Sequence, residues 1–185
     1  MKTIGIVGGG QLGKMLTDAA HKLGYKVIIL ESKNDCPAAS VTDEQILGSF
    51  KDKDKILELA NMCDVVTFEI ESANVEALDE LVASGKEVHP NPKTLKIIKD
   101  KFNQKVFLKE NNIPVSDFLI INSLSDAEKV GESFGYPFLL KTRFDAYDGR
   151  GNFVIHNKEE IKDALIKFGD APLYAEKFFH FVKEL

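Results

Sequence analysis

The chain has 185 residues, enough for one domain or two small ones and for a hydrophobic core without disulfide or metal staples. Hydrophobic residues make up 44% and charged residues 29%, a balance that excludes intrinsically disordered, collagen-like and coiled-coil proteins. The formal net charge of −5 argues against a general nucleic-acid binder, although a local basic cluster can still bind a small anion.

Short apolar strands alternate with amphipathic helices over the first ninety residues. Strand Thr3–Val7 enters a run of three glycines, and apolar positions then recur at helical spacing as far as Gly24. The other predicted elements are strands Lys26–Leu30, Gln45–Gly48, Asp64–Ile70 and Glu87–His89, helices Asp52–Met62 and Asn74–Ser84, and a loop at Ser32–Asp43. Such alternation predicts βαβ units and an α/β fold with a doubly wound parallel sheet.

The pattern changes at Pro90, and we expect a domain boundary within residues 90–115. A long basic helix is predicted over Thr94–Asn111, followed by a smaller α+β unit. Its predicted strands are Phe118–Ile121, Phe138–Lys141, Phe153–Ile155 and Leu173–Phe178, and its predicted helices are Ser125–Phe134 and Lys158–Phe168. The apolar residues from Phe181 onward are typical of another strand, so we expect the chain to be the N-terminal piece of a longer protein.

Cysteine usage and the N-terminus favour the cytoplasm. Cys36 and Cys63 have no CxxC or Cys/His spacing, so neither a disulfide framework nor a zinc site is predicted. The chain has no signal-peptide pattern and no apolar run of the ~18 residues that cross a bilayer. We therefore expect a cytoplasmic protein with neither a membrane nor a nucleic-acid partner.

The glycines after the first strand form the first candidate site. The pattern Gly8-x-Gly10-x-x-Gly13 fits the strand–turn–helix fingerprint in which backbone N–H groups meet an anion. Glu31 ends the second strand, where a dinucleotide enzyme would hold a ribose. Gln11 favours a different ligand, because an exposed amide in the first helical turn can bind a ribose or a phosphate. A tight turn without any ligand is the alternative.

Acidic residues follow the third clear strand. Strand alternation in Thr67-Phe-Glu69-Ile-Glu71 would place the threonine and both glutamates on one side. The carboxyl ends of parallel strands are where open α/β sheets bind ligands. Carboxylates there suit ribose hydroxyls or an amine better than a pyrophosphate, and a solvated strand end is the alternative.

A glycine-bearing loop between two strands forms the second candidate site. Lys141 and Arg143 lie at the end of one strand, and the sequence AYDGRG follows them. A flexible flap of this kind can present N–H groups to phosphate oxygens, and Lys141 can place a point charge on one. Arg150 can clamp a carboxylate or a phosphate with two hydrogen bonds. A solvated hairpin is the alternative.

The last predicted strand is a weaker candidate. A strand that leads into a hinge can offer its backbone to an adenine edge, and a carboxylate such as Glu176 or Glu184 to a ribose. An ordinary edge strand explains the same residues.

Together these motifs resemble those of ATP-grasp enzymes and, more narrowly, the 5-(carboxyamino)imidazole ribonucleotide synthases, the ATP-using part of phosphoribosylaminoimidazole carboxylases. The resemblance spans essentially the whole chain and rests on GIVGGGQLGKM, TFEIE, KDKFNQK, LKTRFDAYDGRGNFVI and PLYAEKFFHFVKEL in this order. It implies a Rossmann-like pre-ATP-grasp domain over residues 1–90, a linker helix region over 91–115 and the small lid subdomain of an ATP-grasp fold over 116–185. The catalytic sheet would then lie beyond residue 185.

The resemblance also implies roles for individual residues. The catalytic residues would be Tyr147, Asp148 and Arg150. The ATP-binding residues would be Lys101, Lys141, Ala146, Gly149, Gly151, Asn152, Glu176, Lys177, Phe179 and Glu184. The substrate-binding residues would be Gly10, Gln11, Leu12, Glu69 and Glu71, and which of the two glutamates faces the ligand is left open.

The implied activity is the ATP- and bicarbonate-dependent carboxylation of 5-aminoimidazole ribonucleotide in purine biosynthesis, through carboxyphosphate. ATP and Mg²⁺ are the implied cofactors, with the metal ligands beyond residue 185 and none within the chain. A homodimer is compatible with the family. The isolated piece is expected to be inactive.

Three other functions stay open. A nicotinamide-dependent Rossmann oxidoreductase explains the glycine turn and Glu31 but leaves LKTRFDAYDGRGN unexplained. Another ATP-grasp ligase, similar to the formate-dependent glycinamide ribonucleotide transformylases, would share most of the motifs. A folded scaffold that only binds a partner is the non-enzymatic alternative.

Overall fold

The computed structural model of the chain describes residues 1–144 and 151–181. They belong to two compact units, which we call the first unit (residues 1–96) and the second unit (residues 97–185). Within the described residues, no helix combines the length and the apolar character needed to cross a bilayer.

The first unit is built on a parallel sheet of order β3-β2-β1-β4-β5. Its strands are β1 Thr3–Val7, β2 Lys26–Glu31, β3 Glu44–Leu47, β4 Val65–Phe68 and β5 Glu87–Val88. Its helices are α1 Gln11–Lys22, α2 Lys53–Met62 and α3 Val75–Ala83, with a short 3-10 helix at Pro37–Ser40 inside the predicted loop. This architecture confirms the predicted parallel α/β sheet.

Unbroken burial along the central strands explains why the sequence predicts them. Four successive residues of β2, from Val27 to Leu30, are buried, as expected for a parallel strand that is covered on both faces. Packing is close at Gly5 of β1, where a Cβ would lie 2.6 Å from Cys63 Sγ. Cys36 and Cys63 are both free thiols in buried positions.

The second unit contains an antiparallel sheet of order β6-β9-β7-β8. Its strands are β6 Phe118–Ile121, β7 Phe138–Thr142, β8 Asn152–Ile155 and β9 Leu173–Lys177, and two of its helices are α6 Leu124–Phe134 and α7 Glu160–Phe168. Phe138 and Leu140 of β7 pack with Ile155 of β8 and Ile161 of α7 in a buried apolar cluster. The predicted small α+β unit is confirmed.

The single helix predicted over Thr94–Asn111 is wrong, because the chain forms α4 Pro92–Lys99 and α5 Lys101–Glu110 instead. Asp100 interrupts the helix with an extended backbone, and its carboxylate accepts hydrogen bonds from the N–H groups of Phe102 and Asn103 at 3.0 and 3.3 Å. Aspartate at this position starts a new helix by satisfying N–H groups that lack a partner within the helix.

The Asp43 carboxylate, just before β3, contacts β2 and α1 and predicts a pH dependence of stability. Its Oδ2 accepts a hydrogen bond from Val27 N at 2.7 Å and lies 2.9 Å from His21 Nε2. The hydrogen bond from Val27, followed by the contact with His21, lowers the pKa of Asp43. The carboxylate therefore stabilises the fold above about pH 4, and this contribution is lost as the pH falls through the lower folded pKa.

We therefore expect Asp43→Asn to destabilise the chain near neutral pH and to have a much smaller effect in acid. Urea unfolding at about pH 7 and at about pH 3 measures the difference from the parent chain. Asp18→Asn, at an exposed position of α1, is the matched control. An equal loss of stability at both pH values would contradict the assigned role of the carboxylate.

Candidate functional site

Two carboxylates of the first unit close the glycine turn between β1 and α1. Gly10 N donates a hydrogen bond to Glu69 Oε1 at 2.8 Å, and Gly9 N donates to Glu31 Oε2 at 3.2 Å. Two N–H groups that would meet an anion in a dinucleotide site are therefore already used. A pyrophosphate placed here would face two negative charges, which argues against the nicotinamide-dependent alternative.

The glycines of this turn make room for these side chains. Gly8 has a φ of +112°, a region that side chains rarely adopt, and a Cβ there would lie 2.7 Å from Glu69 Oε1. A Cβ on Gly9 would lie 2.8 Å from Cys36 Sγ and 2.9 Å from Glu31 Cβ. The motif is thus needed for close approach of the protein's own carboxylates.

Four of the five predicted substrate-binding residues meet at this turn. Gly10 contacts Glu69, and Gln11 and Leu12 follow as exposed residues in the first turn of α1. Glu71 is exposed and lies beyond the end of β4, so the strand alternation expected to place both glutamates on one side does not apply. Of the two glutamates, Glu69 is the one that contacts the turn.

An open cavity of about 530 Å³ lies beside the turn. It is lined by side chains of α1 and of the end of β4, namely Leu12, Met15, Leu16, Phe68 and Glu69. Leu12 and Met15 are exposed despite being apolar. Apolar walls with one carboxylate suit a ligand that combines a flat apolar part with hydrogen-bond donors.

The second unit holds a buried carboxylate between two lysines. Glu176 on β9 is 6% exposed, and its Oε2 and Oε1 lie 3.2 Å from the Nζ atoms of Lys105 and Lys141, respectively. Burial alone would raise the pKa of Glu176, but the charges of Lys141 and Lys105 hold it below its usual range. We call these three residues the lysine cluster. Their summed charge is positive, which favours an anionic ligand.

Strand pairing divides the other predicted ATP-binding residues of the sheet between its two ends. Lys141 is paired with Asn152 of β8, and Gly151 O accepts a hydrogen bond from Thr142 N at 2.9 Å. Lys177 is the last residue of β9, and Phe179 follows it with 59% of its surface exposed. Lys177 pairs with Phe138 at the start of β7, so Lys177 and Phe179 lie at the opposite end of the sheet from the glycine-bearing loop, whereas Lys141, Gly151 and Asn152 lie at the loop end.

Arg143 has a different role from the one its position suggested, because it is paired with Asp100. Its Nε donates to Asp100 Oδ1 at 3.0 Å, and its Nη2 donates to Oδ2. Lys101 N also donates to Arg143 O at 2.9 Å. This pair fastens the N-terminus of α5, which carries Lys101 and Lys105, to the end of β7.

Several predicted site residues lie outside the described ranges. These are Ala146, Tyr147, Asp148, Gly149, Arg150 and Glu184. Their roles stay predictions, and so does the role of Lys101. Among the residues that the structure describes, no group of three or more His, Cys, Asp and Glu side chains could hold a metal ion.

Pattern analysis missed Lys105, Ser116 and the Asp100–Arg143 pair. Lys105 stands one helical turn after Lys101, a spacing that places two cations on one helix face and could have identified it. Ser116 gave no such signal, because its role arises from contacts with Lys105 and with Glu176 on β9.

Comparisons with known proteins match two domain families along the chain. The family model "Ribonucleotide synthetase preATP-grasp domain" matches residues 1–99, and an ATP-grasp domain model matches residues 106–185. A phosphoribosylaminoimidazole carboxylase from Ogataea methanolica is 47% identical over 100% of this chain and 35% of its own length. The chain thus spans about a third of that relative.

Two solved structures from Aspergillus clavatus superpose closely. A carboxyaminoimidazole ribonucleotide synthase complexed with ATP has a TM-score of 0.89 and 40% identity, covering 98% of this chain and 48% of its own. An N5-carboxyaminoimidazole synthase in complex with ADP and 5-aminoimidazole ribonucleotide has a TM-score of 0.87 and 38% identity, covering 98% and 47%. With more than half of its residues matched by the first model, the chain belongs to the ribonucleotide synthetase pre-ATP-grasp family and continues into an ATP-grasp domain.

Proposed function

We propose that the chain is part of an ATP-dependent carbon–nitrogen ligase that carboxylates 5-aminoimidazole ribonucleotide to N5-carboxyaminoimidazole ribonucleotide in purine biosynthesis. The observation that carries the proposal is the positively charged lysine cluster, in which Lys141 lies on β7 just before the glycine-bearing loop. The Aspergillus clavatus complexes with ATP, and with ADP and 5-aminoimidazole ribonucleotide, supply the identities of the ligands.

In the proposed nucleotide site, Lys101 and Lys141 contact the phosphates and residues 146–152 close over them. Glu176, Lys177 and Phe179 hold the adenine, and Glu184 holds the ribose. Support comes from Lys141, whose side chain is 20% exposed and whose one ion pair among the described residues is with Glu176. The exposed ring of Phe179, just after β9, offers a face for stacking.

In the proposed substrate site, Gly10, Gln11, Leu12, Glu69 and Glu71 surround the ribonucleotide. The open cavity beside the glycine turn supports this placement, because its apolar walls suit an imidazole ring and its carboxylate suits an amine or a hydroxyl. Glu69 already uses Oε1 for Gly10, so the ligand would meet the carboxylate in a fixed orientation.

The proposed reaction begins when a bicarbonate oxygen attacks the γ-phosphorus of ATP. The bond to the bridging oxygen breaks, ADP leaves, and carboxyphosphate forms. Carboxyphosphate splits into carbon dioxide and phosphate, and the exocyclic amine then forms a bond to carbon dioxide and loses a proton. Lys141 and Arg150 would offset the repulsion between the two anions, together with Tyr147 and Asp148 around the acceptor. A cover formed by residues 146–152 would keep water from the labile intermediate.

The proposal extends to the rest of the protein. Mg²⁺ would neutralise phosphate charge, and its ligands are proposed to lie beyond residue 185. The part of the relatives that this chain does not span supports a catalytic sheet there and an inactive isolated piece. Bicarbonate as second substrate, a cytoplasmic location, a homodimer and the division into residues 1–90, 91–115 and 116–185 belong to the same proposal.

We expect Lys141→Met to weaken ATP binding by about tenfold or more, because the charge that meets the phosphates is lost. Isothermal titration with ATP and Mg²⁺, on the protein at the length of its relatives, measures the change. Lys162→Met, at an exposed position of α7, is the control and should bind ATP like the parent.

The same protein should release ADP only when bicarbonate and 5-aminoimidazole ribonucleotide are both present. Absence of ATP binding by the folded parent would overturn the proposed function. Unchanged affinity in Lys141→Met would remove Lys141 from the nucleotide site.

A further inference from the structure

We propose that Lys105 is a positioning residue: it holds the charge of Glu176 so that Lys141 is free to turn from Glu176 to a nucleotide phosphate. The inference deepens the proposed function and rests on it. It assigns a role to a side chain that does not itself contact the nucleotide.

The two oxygens of Glu176 are held in different ways. Oε2 belongs to a closed triangle, in which Ser116 Oγ donates to it at 3.1 Å, Lys105 Nζ lies 3.2 Å from it, and Lys105 Nζ donates to Ser116 Oγ at 3.2 Å. Each member of the triangle contacts the other two. Lys105 is therefore anchored to the carboxylate by a charge and, through Ser116, by directed hydrogen bonds.

Oε1 is held more loosely. It is buried and accepts no hydrogen bond from the described residues, although Lys141 Nζ lies 3.2 Å away. Lys141 Nζ also lies 5.9 Å from the centre of the Tyr174 ring, at the outer limit of a cation–π contact. The Lys141 ammonium is thus attracted by charge without a directed bond, which makes it the easier of the two lysines to redirect.

Charge balance decides what happens when Lys141 leaves. A buried carboxylate that loses its only cation is strongly destabilised, because it keeps neither hydration nor a counter-charge. With Lys105 in the triangle, Glu176 remains paired while Lys141 engages a phosphate. Without Lys105, Lys141 becomes the single cation paired with Glu176 among the described residues and is held in place.

The position of Lys105 is also fixed by the helix that carries it. It lies on α5, and the N-terminus of that helix is fastened to β7 by the Asp100–Arg143 pair and by the hydrogen bond from Lys101 N to Arg143 O. The helix that presents Lys105 and the strand that presents Lys141 are therefore tied together one residue beyond the last residue of β7.

The test measures ATP affinity by isothermal titration, on the protein at the length of its relatives. Lys105→Met should weaken ATP binding by about tenfold, and Lys105→Arg should restore most of the affinity. Lys109→Met, one turn later on α5 with its ammonium over the Phe118 ring, is the matched control and should bind like the parent.

The Glu176→Gln background separates positioning from direct contact. The amide introduced by that substitution carries no charge to balance, so Lys105→Met should cost much less affinity in that background than in the parent. An equal loss in both backgrounds would mean that Lys105 acts on the nucleotide independently of Glu176, and would overturn the inference. Circular dichroism of each variant distinguishes weakened binding from unfolding.

Amine labelling gives a readout that needs no nucleotide. Acylation of Lys141, quantified by mass spectrometry, should slow in Lys105→Met and recover when Glu176→Gln is added. If the parent binds no ATP, the proposed function fails, and this labelling pattern decides the charge-balance claim by itself. If ATP binds but labelling of Lys141 is unchanged in Lys105→Met, the inference fails and the proposed function stands.

Discussion

Arg143→Ala is expected to lower the opening free energy of the sheet in the second unit by about 3 kcal/mol. The guanidinium donates to both oxygens of Asp100, which is only 4% exposed, so its removal leaves a buried carboxylate without its cation. The loss should also loosen the N-terminus of α5, because Asp100 caps that helix. Hydrogen exchange of amides in β7, β9 and α5 measures the effect segment by segment.

The pH dependence of this loss gives a sharper test. Burial alone would raise the pKa of Asp100, but hydrogen bonds from Arg143 and from the helix N–H groups hold it below its usual range. The pair therefore contributes above about pH 4 and loses its contribution as the pH falls through the lower folded pKa. The difference between Arg143→Ala and the parent should be largest near neutral pH and shrink in acid.

Two conservative variants serve as controls. Asp100→Asn keeps an acceptor for capping α5 but loses the charge, and Arg143→Lys keeps the charge but loses the two-pronged geometry. Each should fall between the parent and Arg143→Ala. A loss of stability in Arg143→Ala that does not vary with pH would show that packing against Phe102, rather than the ion pair, is what the arginine supplies.

Gly8→Ala is expected to destabilise the first unit by about 3 kcal/mol, from backbone strain at positive φ and from collision with a neighbouring side chain. The added Cβ would lie 2.7 Å from Glu69 Oε1, so the carboxylate would have to leave Gly10 N. Urea unfolding measures the total effect. Hydrogen exchange of the Gly10 amide reports whether its bond to Glu69 is lost.

Gly24 provides the matched control for this variant. Its φ is +79°, but a Cβ there would meet nothing within 4 Å, so Gly24→Ala carries the strain without the collision. We expect Gly8→Ala to cost clearly more than Gly24→Ala. If the two substitutions cost the same, the closure of the turn by Glu69 contributes nothing measurable.

The secondary structure is predictable from the sequence where burial requires a regular pattern of apolar residues along the chain. Val27 to Leu30 are all buried, and an unbroken apolar run of this kind marks a parallel strand. The break at Asp100 was not predictable in the same way, because its partner Arg143 is 43 residues away and helical periodicity continues across it. The local pattern of apolar residues predicts the helices and strands, whereas ion pairs between residues distant in sequence determine where some of them end.

The residues of the candidate sites also differ in how far the local sequence predicts them. Lys141 stands at a strand end before a glycine-bearing loop, a local pattern that identifies it, whereas the strand that carries Glu176 gives only a weak local signal. Arg143 carried the same local signal as Lys141, yet its guanidinium is turned inward onto Asp100. Side-chain direction at a strand end depends on what the rest of the unit places opposite, which the local sequence does not contain.

The glycine turn closed by Glu31 and Glu69 has a consequence for genome annotation. A glycine fingerprint indicates that another group approaches the backbone closely. Here the approaching groups are the Glu31 and Glu69 carboxylates of the same chain. Sequence searches for nicotinamide enzymes would gain accuracy by also checking the residue that directly follows the strand corresponding to β4, which pairs with β1. A glutamate or aspartate at that position, with its carboxylate against the glycine turn, would indicate a site that repels diphosphates.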